Sequence, residues 1–359
     1  MSLIGLFACS DDDEVPQPPA DGGSDAAVAN DAGQDASIDA GPSLLDASLD
    51  ASLDAGPDAA VDAGPTLAQK VERGRYVVEN IGACGDCHTP RKQDNSPDLD
   101  RKFAGVDCFI DADPMNPSFG CLSARNLTNH ETGLKNRSDQ EIKDMFLKGL
   151  RPDGTALHPV MPYWVLGNMT GDDADAVVAF LRTLPGVDHM VAAPQAPFAG
   201  LPAPAPLWPD ALIPQPSASY PQQDAAKRGR YLAGSIGVCM ECHSPRNEMD
   251  QPLVQRAFEG GRAFPSVQFG FPVPPFPEVI YTSNLTPHQT GIAGYDVAGL
   301  VKIIKQGKDK DNAGVCPPMP SGPMGAFAGI TDADAQDIAH YLLSLAPKEN
   351  MLPNGCTAP

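Results

Sequence analysis

Apolar residues recur at helical spacing in six stretches of the chain, and these stretches fall at matching places in two successive copies. In the first copy Ser138 caps a helix, with Glu141 three residues on, and Ile142, Met145, Phe146 and Leu150 then share one face. Its counterpart carries Leu300, Val301 and Ile304 and ends at Gly307. Thr170 opens a second helix whose apolar face is Val177, Val178, Leu181 and Leu184, closed by Pro185. Thr331 opens its twin, with Ile338, Tyr341, Leu342 and Leu345, closed by Pro347. Two further helices, at about 67–81 and 224–236, run directly into cysteine-rich segments. No stretch alternates like a strand, so the expected class is mainly α.

The copies are visible as sequence. Arg73 to Arg91 aligns with Arg228 to Arg246 as Arg-Gly-Arg-Tyr-x4-Ile-Gly-x-Cys-x2-Cys-His-x-Pro-Arg, identical at eleven of nineteen positions. Further on, Asn126-Leu-Thr to Gly133 matches Asn284-Leu-Thr to Gly291, Gly149 matches Gly307, and Met161 matches Met319. A duplicated domain follows, at 66–193 and 222–359. The Pro- and Ala-rich stretch 194–221 reads as an extended linker.

Composition adds a third region. From Asp11 to Pro65 there are thirteen Asp, one Glu and no basic residue. Asp recurs every fourth residue from Asp46 to Asp62, which would stack like charges on a helix face, so 10–65 is expected to be a disordered tether. That stretch carries two thirds of the net charge of −21, and the rest of the chain has no basic stripe of the kind that binds nucleic acid. Residues 1–9 are apolar up to Cys9, and Leu6-Phe7-Ala8-Cys9 resembles a bacterial lipobox, which implies an acylated Cys9 anchoring the protein to a membrane. A trimmed signal peptide is the alternative, because no Lys or Arg precedes Cys9.

Cys84-x-x-Cys87-His88 and Cys239-x-x-Cys242-His243 each place two thiols one turn apart, beside an imidazole. That spacing suits thioether attachment to the two vinyl groups of a haem, with the histidine coordinating the iron, and predicts two covalently bound c-type haems. A thioredoxin-like pair needs a βαβ frame and a zinc site needs further paired ligands; neither is apparent. Each histidine must bind as neutral imidazole and therefore needs an acceptor for its other ring N–H, expected from a backbone carbonyl on the following loop.

A thioether suits the sixth position of an electron carrier. Val160-Met161-Pro162 and Pro318-Met319-Pro320 hold methionines at equivalent places before the last helix of each copy, and Met161 and Met319 are the expected ligands. Met324 competes with Met319, and Met169 more weakly with Met161. His130 and His288 also match in position and read as polar turn residues. Arg91 and Arg246, with the Asn126 and Asn284 loops, are candidates for haem propionates or simple surface groups.

From residue 66 onward the pattern resembles the class I c-type cytochrome family, above all the di- and tri-haem cytochromes that accompany bacterial periplasmic dehydrogenases. The likeness rests on Cys84-Gly-Asp-Cys-His-Thr-Pro-Arg91, Asn126-Leu-Thr to Gly133, Met161-Pro-Tyr163 and their second-copy partners. It implies two tandem cytochrome c domains, each a few helices wrapped around a haem and assembled outside the cytoplasm. The chain departs from the dehydrogenase subunits in lacking a third attachment motif. The resemblance implies electron transfer with redox proteins such as a dehydrogenase, a terminal oxidase or another cytochrome. The rival reading is a di-haem enzyme, of peroxidase or thiosulfate dehydrogenase type, with one labile or Cys-ligated haem; a haem-based sensor lacks a signalling domain to support it.

Four cysteines remain: Cys108, Cys121, Cys316 and Cys356. An even remainder in an exported protein favours disulfides. Cys108 with Cys121 would staple the loop after the first haem, and Cys316 with Cys356 would tie the Met319 loop to the tail. Free thiols, or Cys316 as an iron ligand, are the alternatives.

Overall fold

The computed structural model describes residues 64–359 apart from 202, 238, 248–251, 354–356 and 359. The tether, Cys9 and Cys356 lie outside the described residues. The first copy runs through α1 (Leu67–Tyr76), a π-helical turn (Val77–Ile81), α2 (Cys84–His88), a hairpin of β1 (Val106–Asp111) and β2 (Cys121–Ala124), α3 (Asp139–Lys148), α4 (Tyr163–Leu166) and α5 (Gly171–Leu181). The second repeats the order with α6 (Gln223–Tyr231), a π-helical turn (Leu232–Ile236), α7 (Cys239–Cys242), a hairpin of β3 (Ala263–Pro265) and β4 (Val279–Tyr281), α8 (Val297–Gln306) and α9 (Asp332–Ser344). A short ladder joins β5 (Gly314–Val315) to β6 (Thr357–Ala358). The described residues are mainly α.

Local chemistry explains the helix ends. Ser138 and Glu141 form a reciprocal capping box on α3, and Thr66 with Gln69 does the same on α1. The Thr170 and Thr331 hydroxyls accept from the Asp173 and Asp334 amides. Gly149 and Gly307 close α3 and α8 in the left-handed region, at φ 68° and 63°. Leu150, expected on the α3 face, therefore lies beyond the helix and bridges to Ala156.

Within each copy the first helix crosses the last at a glycine. A Cβ on Gly74 would lie 1.8 Å from the Ala176 carbonyl oxygen, and one on Gly229 would lie 1.9 Å from that of Asp337. Only hydrogen fits there. Arg73 Nε and Nη2 donate to the two Asp173 oxygens at 2.6 and 2.9 Å, and Arg228 embraces Asp337 at 2.7 and 2.9 Å, so each crossing carries a bidentate pair.

The copies share one apolar core. Val77, Ile81, Trp164 and Val177 of the first continue into Leu232, Ile236, Ile338 and Tyr341 of the second. Between the copies two tyrosines exchange places. Tyr76 donates to Asp334 at 2.5 Å and accepts from the Thr331 amide at 3.2 Å; Tyr231 donates to Asp173 at 2.7 Å and accepts from the Thr170 amide at 3.1 Å. Each tyrosine thus sits at the N-terminus of the other copy's last helix. Burial first, then the bonded carboxylate, pushes both phenols up to about 12, which keeps them donors.

Two expectations need amendment. Strands do occur: β1 pairs antiparallel with β2, with Ile110 opposite Leu122 and a bulge after Val106, and β3 pairs with β4. β1 is irregular because of its bulge and the other three strands are only three or four residues long, so no alternation registers; Cys108 and Cys121 join across the first hairpin as a disulfide. The 194–221 stretch, which includes a 3-10 turn at Asp210–Leu212, is packed rather than free in its described residues. Trp208 and Ile213 are 2% and 1% exposed, Trp208 stacks on Trp164 with centroids 5.2 Å apart, and Tyr341 donates to the Pro214 carbonyl at 2.7 Å. No helix among the described residues is long and apolar enough to cross a membrane.

Candidate functional site

Each cysteine motif comes shortly after a π-helical turn. Ala83, a non-glycine residue at φ 47° and ψ 34°, turns the chain from Ile81 into α2. The four motif cysteines are unpaired thiols. Burial pushes Cys84 and Cys239 up to about 12 and raises Cys87 and Cys242 as well, so all four are neutral at ordinary pH. Neutral buried thiols are poor exchange nucleophiles.

The two histidines are oriented alike. His88 Nδ1 lies 2.6 Å from the Arg125 carbonyl oxygen, and His243 Nδ1 lies 2.8 Å from that of Ser283. An N–H donating from Nδ1 leaves Nε2 with its lone pair, the form a metal-ligating imidazole takes. Burial lowers both pKa values, with the carbonyl bonds opposing it, so the rings are neutral.

Both carbonyls stand at the exit of a hairpin, directly before the repeated Asn-Leu-Thr. Asn126 explains that sequence. Its Oδ1 accepts from the amide and hydroxyl of Thr128, at 2.9 and 2.7 Å, while Nδ2 donates to Thr132 Oγ1 and the Val187 carbonyl, at 3.1 and 2.9 Å. Asn284 repeats this with Thr286, Thr290 and the Lys348 carbonyl. The asparagines thus brace the loop that holds the imidazole acceptors. Arg125 and Ser283 act through backbone atoms, so their side chains give no signal, and only the adjacent repeated triplet marks them. His130 and His288 each place Nδ1 2.9 Å from the following threonine hydroxyl, as turn residues do.

Met161 and Met319 are partly buried and pack against the shared core, whereas Met324 is 84% exposed. Met169 also touches the core. Cys316 is disulfide-bonded and offers no thiolate.

The charges flanking the two motifs differ. Arg91 is exposed and donates to the Asn95 carbonyl at 2.9 Å. Its counterpart Arg246 is buried, 2.6 Å from Glu241, which Arg262 also meets. Burial pushes the Glu241 carboxyl up, but the two guanidiniums more than offset it and leave its pKa below the ordinary value. Asp86, at the matching place, is pushed up to about 6 by burial, with Arg91 opposing.

Four neutral thiols in two spaced pairs, two imidazoles with Nε2 bare, and two partly buried thioethers form a donor set that fits two covalently held haems.

No family model matches the chain. It is 28% identical over 286 residues to the fructose dehydrogenase cytochrome subunit of Gluconobacter japonicus, covering 77% of this chain and 53% of that one. The gluconate 2-dehydrogenase cytochrome c subunit of Pantoea cypripedii is 25% identical over 299 residues, covering 78% and 60%. A diheme cytochrome c-type protein of Cereibacter sphaeroides is 26% identical over 294 residues, covering 77% and 86%. The chain therefore spans about half the length of the fructose dehydrogenase subunit, but most of the diheme protein. With its duplicated cysteine–histidine motif, the chain is similar to a diheme cytochrome c and to the cytochrome subunits of bacterial dehydrogenases, a likeness that implies covalently bound c-type haem.

Proposed function

We propose that the chain carries electrons between redox proteins through two haems. One is attached at Cys84 and Cys87 and ligated by His88 and Met161; the other is attached at Cys239 and Cys242 and ligated by His243 and Met319. The observation that carries this reading is the repeated hold on the imidazole. In both copies Nδ1 is engaged by a hairpin-exit carbonyl, while a partly buried methionine approaches the same core from the segment before the last helix. When bound, haem supplies reversible one-electron exchange at its iron. The residues fix ligand orientation, exclude water and hold the two sites in one rigid core. The exposure of Met324 favours Met319 as the second methionine ligand. The disulfide on Cys316 weighs against a Cys-ligated, enzyme-type haem.

The two cytochrome domains are 66–193 and 222–359, joined by 194–221. By analogy with its relatives, the chain takes electrons from a dehydrogenase on the periplasmic or cell-surface side, with Cys9 as a lipid anchor. A potentiometric titration followed by absorbance tests the reading on the purified protein and its Met161→Ala and Met319→Ala variants. Two low-spin haems per chain are expected, and each variant should lower one potential and admit cyanide at one iron. Fewer than two haems, or variants identical to the parent in both properties, refutes it.

A further inference from the structure

We infer that Trp164 is a positioning residue that couples the two haem sites, holding the methionine loop of the first and a buried arginine of the second. The inference rests on the assignment of Met161 as an iron ligand. Trp164 is 2% exposed, and its Nε1–H donates to the Pro159 carbonyl at 3.0 Å, two residues before Met161. Trp208 from the connecting stretch lies against the ring, with planes 19° apart, and its amide donates to the Trp164 carbonyl at 2.7 Å. The ring also meets the guanidinium of Arg246, whose Cζ is 5.8 Å from the ring centroid. Arg246 follows His243 by three residues and is bound to Glu241, which lies between Cys239 and Cys242.

One indole therefore touches the distal loop of one site and the attachment motif of the other. A guanidinium over an indole face is attracted to its quadrupole, and the attraction grows as water is excluded. Here the arginine and glutamate side chains are 5% and 7% exposed. The two motif arginines differ in this respect: Arg91 is exposed and donates to the Asn95 carbonyl. A shift of the Met161 loop therefore moves the indole and with it Arg246 at the second motif.

The test uses the full-length holoprotein, with cyanide as the probe. The two irons are distinguished by their paramagnetically shifted methionine methyl signals, using Met161→Ala and Met319→Ala as references. Trp164→Phe keeps a ring beneath Arg246 but removes the N–H. Loss of one buried hydrogen bond is worth about 1 kcal/mol, so cyanide entry at the first haem should quicken by roughly three- to tenfold while the second haem is unaffected. Trp164→Leu removes the ring as well, and should also shift the methyl signals and potential of the second haem. Unchanged cyanide entry in Trp164→Phe, in a protein whose Met161→Ala variant opens the first iron, overturns the inference alone. A Met161→Ala variant that binds cyanide no better than the parent removes the ligand assignment, and the inference with it.

Discussion

Replacing Gly74 by alanine sets two effects of opposite sign against each other. Inside a helix, alanine is worth about 0.5–1 kcal/mol more than glycine, so propensity alone predicts a more stable protein. The crossing predicts the reverse. The new Cβ would stand 1.8 Å from the Ala176 oxygen, 2.5 Å from its carbonyl carbon and 2.9 Å from Phe180 Cβ. The first two are backbone atoms of α5, so no side-chain rotation relieves them, and α1 must move out by more than 1 Å to restore a contact of 3.0 Å. That movement stretches the Arg73–Asp173 pair and loosens Val77 and Val78 against Val177. Overpacking of this kind costs about 1–3 kcal/mol, and rigid backbone puts this case at the upper end. At roughly 2–4 °C per kcal/mol for a protein of this size, the midpoint should fall by about 5–10 °C. Thermal melts of the holoprotein, followed by far-ultraviolet circular dichroism and Soret absorbance, measure it. Gly171→Ala, with open space around the new Cβ, is the control and should not fall. A Gly74→Ala midpoint at or above the parent's would refute the steric argument and leave propensity as the deciding effect.

The remaining predictions concern acid, oxidation state and the seam between the copies. Burial pushes the Asp173 carboxyl up, but bonds from Arg73 and Tyr231 more than offset it, so its folded pKa lies below its unfolded value. Its contribution is complete above about pH 4 and is lost as pH falls through the lowered folded value; midpoints measured against pH should show a weaker acid dependence in Asp173→Asn. Changing Cys108 and Cys121 together to serine opens a crosslink over a sequence separation of 13, and should cost about 3 kcal/mol in denaturant titration. A double variant as stable as the parent would refute that figure. Tyr76→Phe and Tyr231→Phe should each cost about 1 kcal/mol, and lowered midpoints in both, with unchanged haem spectra, would locate the loss at the seam.

Much of this was legible in the sequence, and the reason is locality. The Ser138–Glu141 box, the Thr170 and Thr331 caps and the cysteine–histidine spacing depend on residues within four positions of one another, so they can be read directly. What escaped depends on residues far apart. The identical Arg-Gly-Arg-Tyr segments mark a duplication, but nothing in them says that the glycine meets Ala176 or Asp337, or that the tyrosine reaches the other copy. The π-helical turns at Val77–Ile81 and Leu232–Ile236 keep helical periodicity and so read as plain helix. Proline and alanine suggest an extended linker for 194–221, but carry no sign that Trp208 would be buried against Trp164. The proposed preference for Met319 over Met324 rests on exposure, which spacing does not carry.

The exchanged tyrosines have a consequence for how such a chain arises. Because each copy presents both a phenol donor and a capped carboxylate acceptor, a single copy already holds every group needed to dimerise with its own kind about a twofold axis. Joining two such units in one polypeptide turns an association that depends on protein concentration into one fixed by the connecting peptide. Once joined, the units are free to diverge while staying assembled. The two motif arginines already differ in this way, Arg91 being exposed and the Arg246 side chain only 5% exposed.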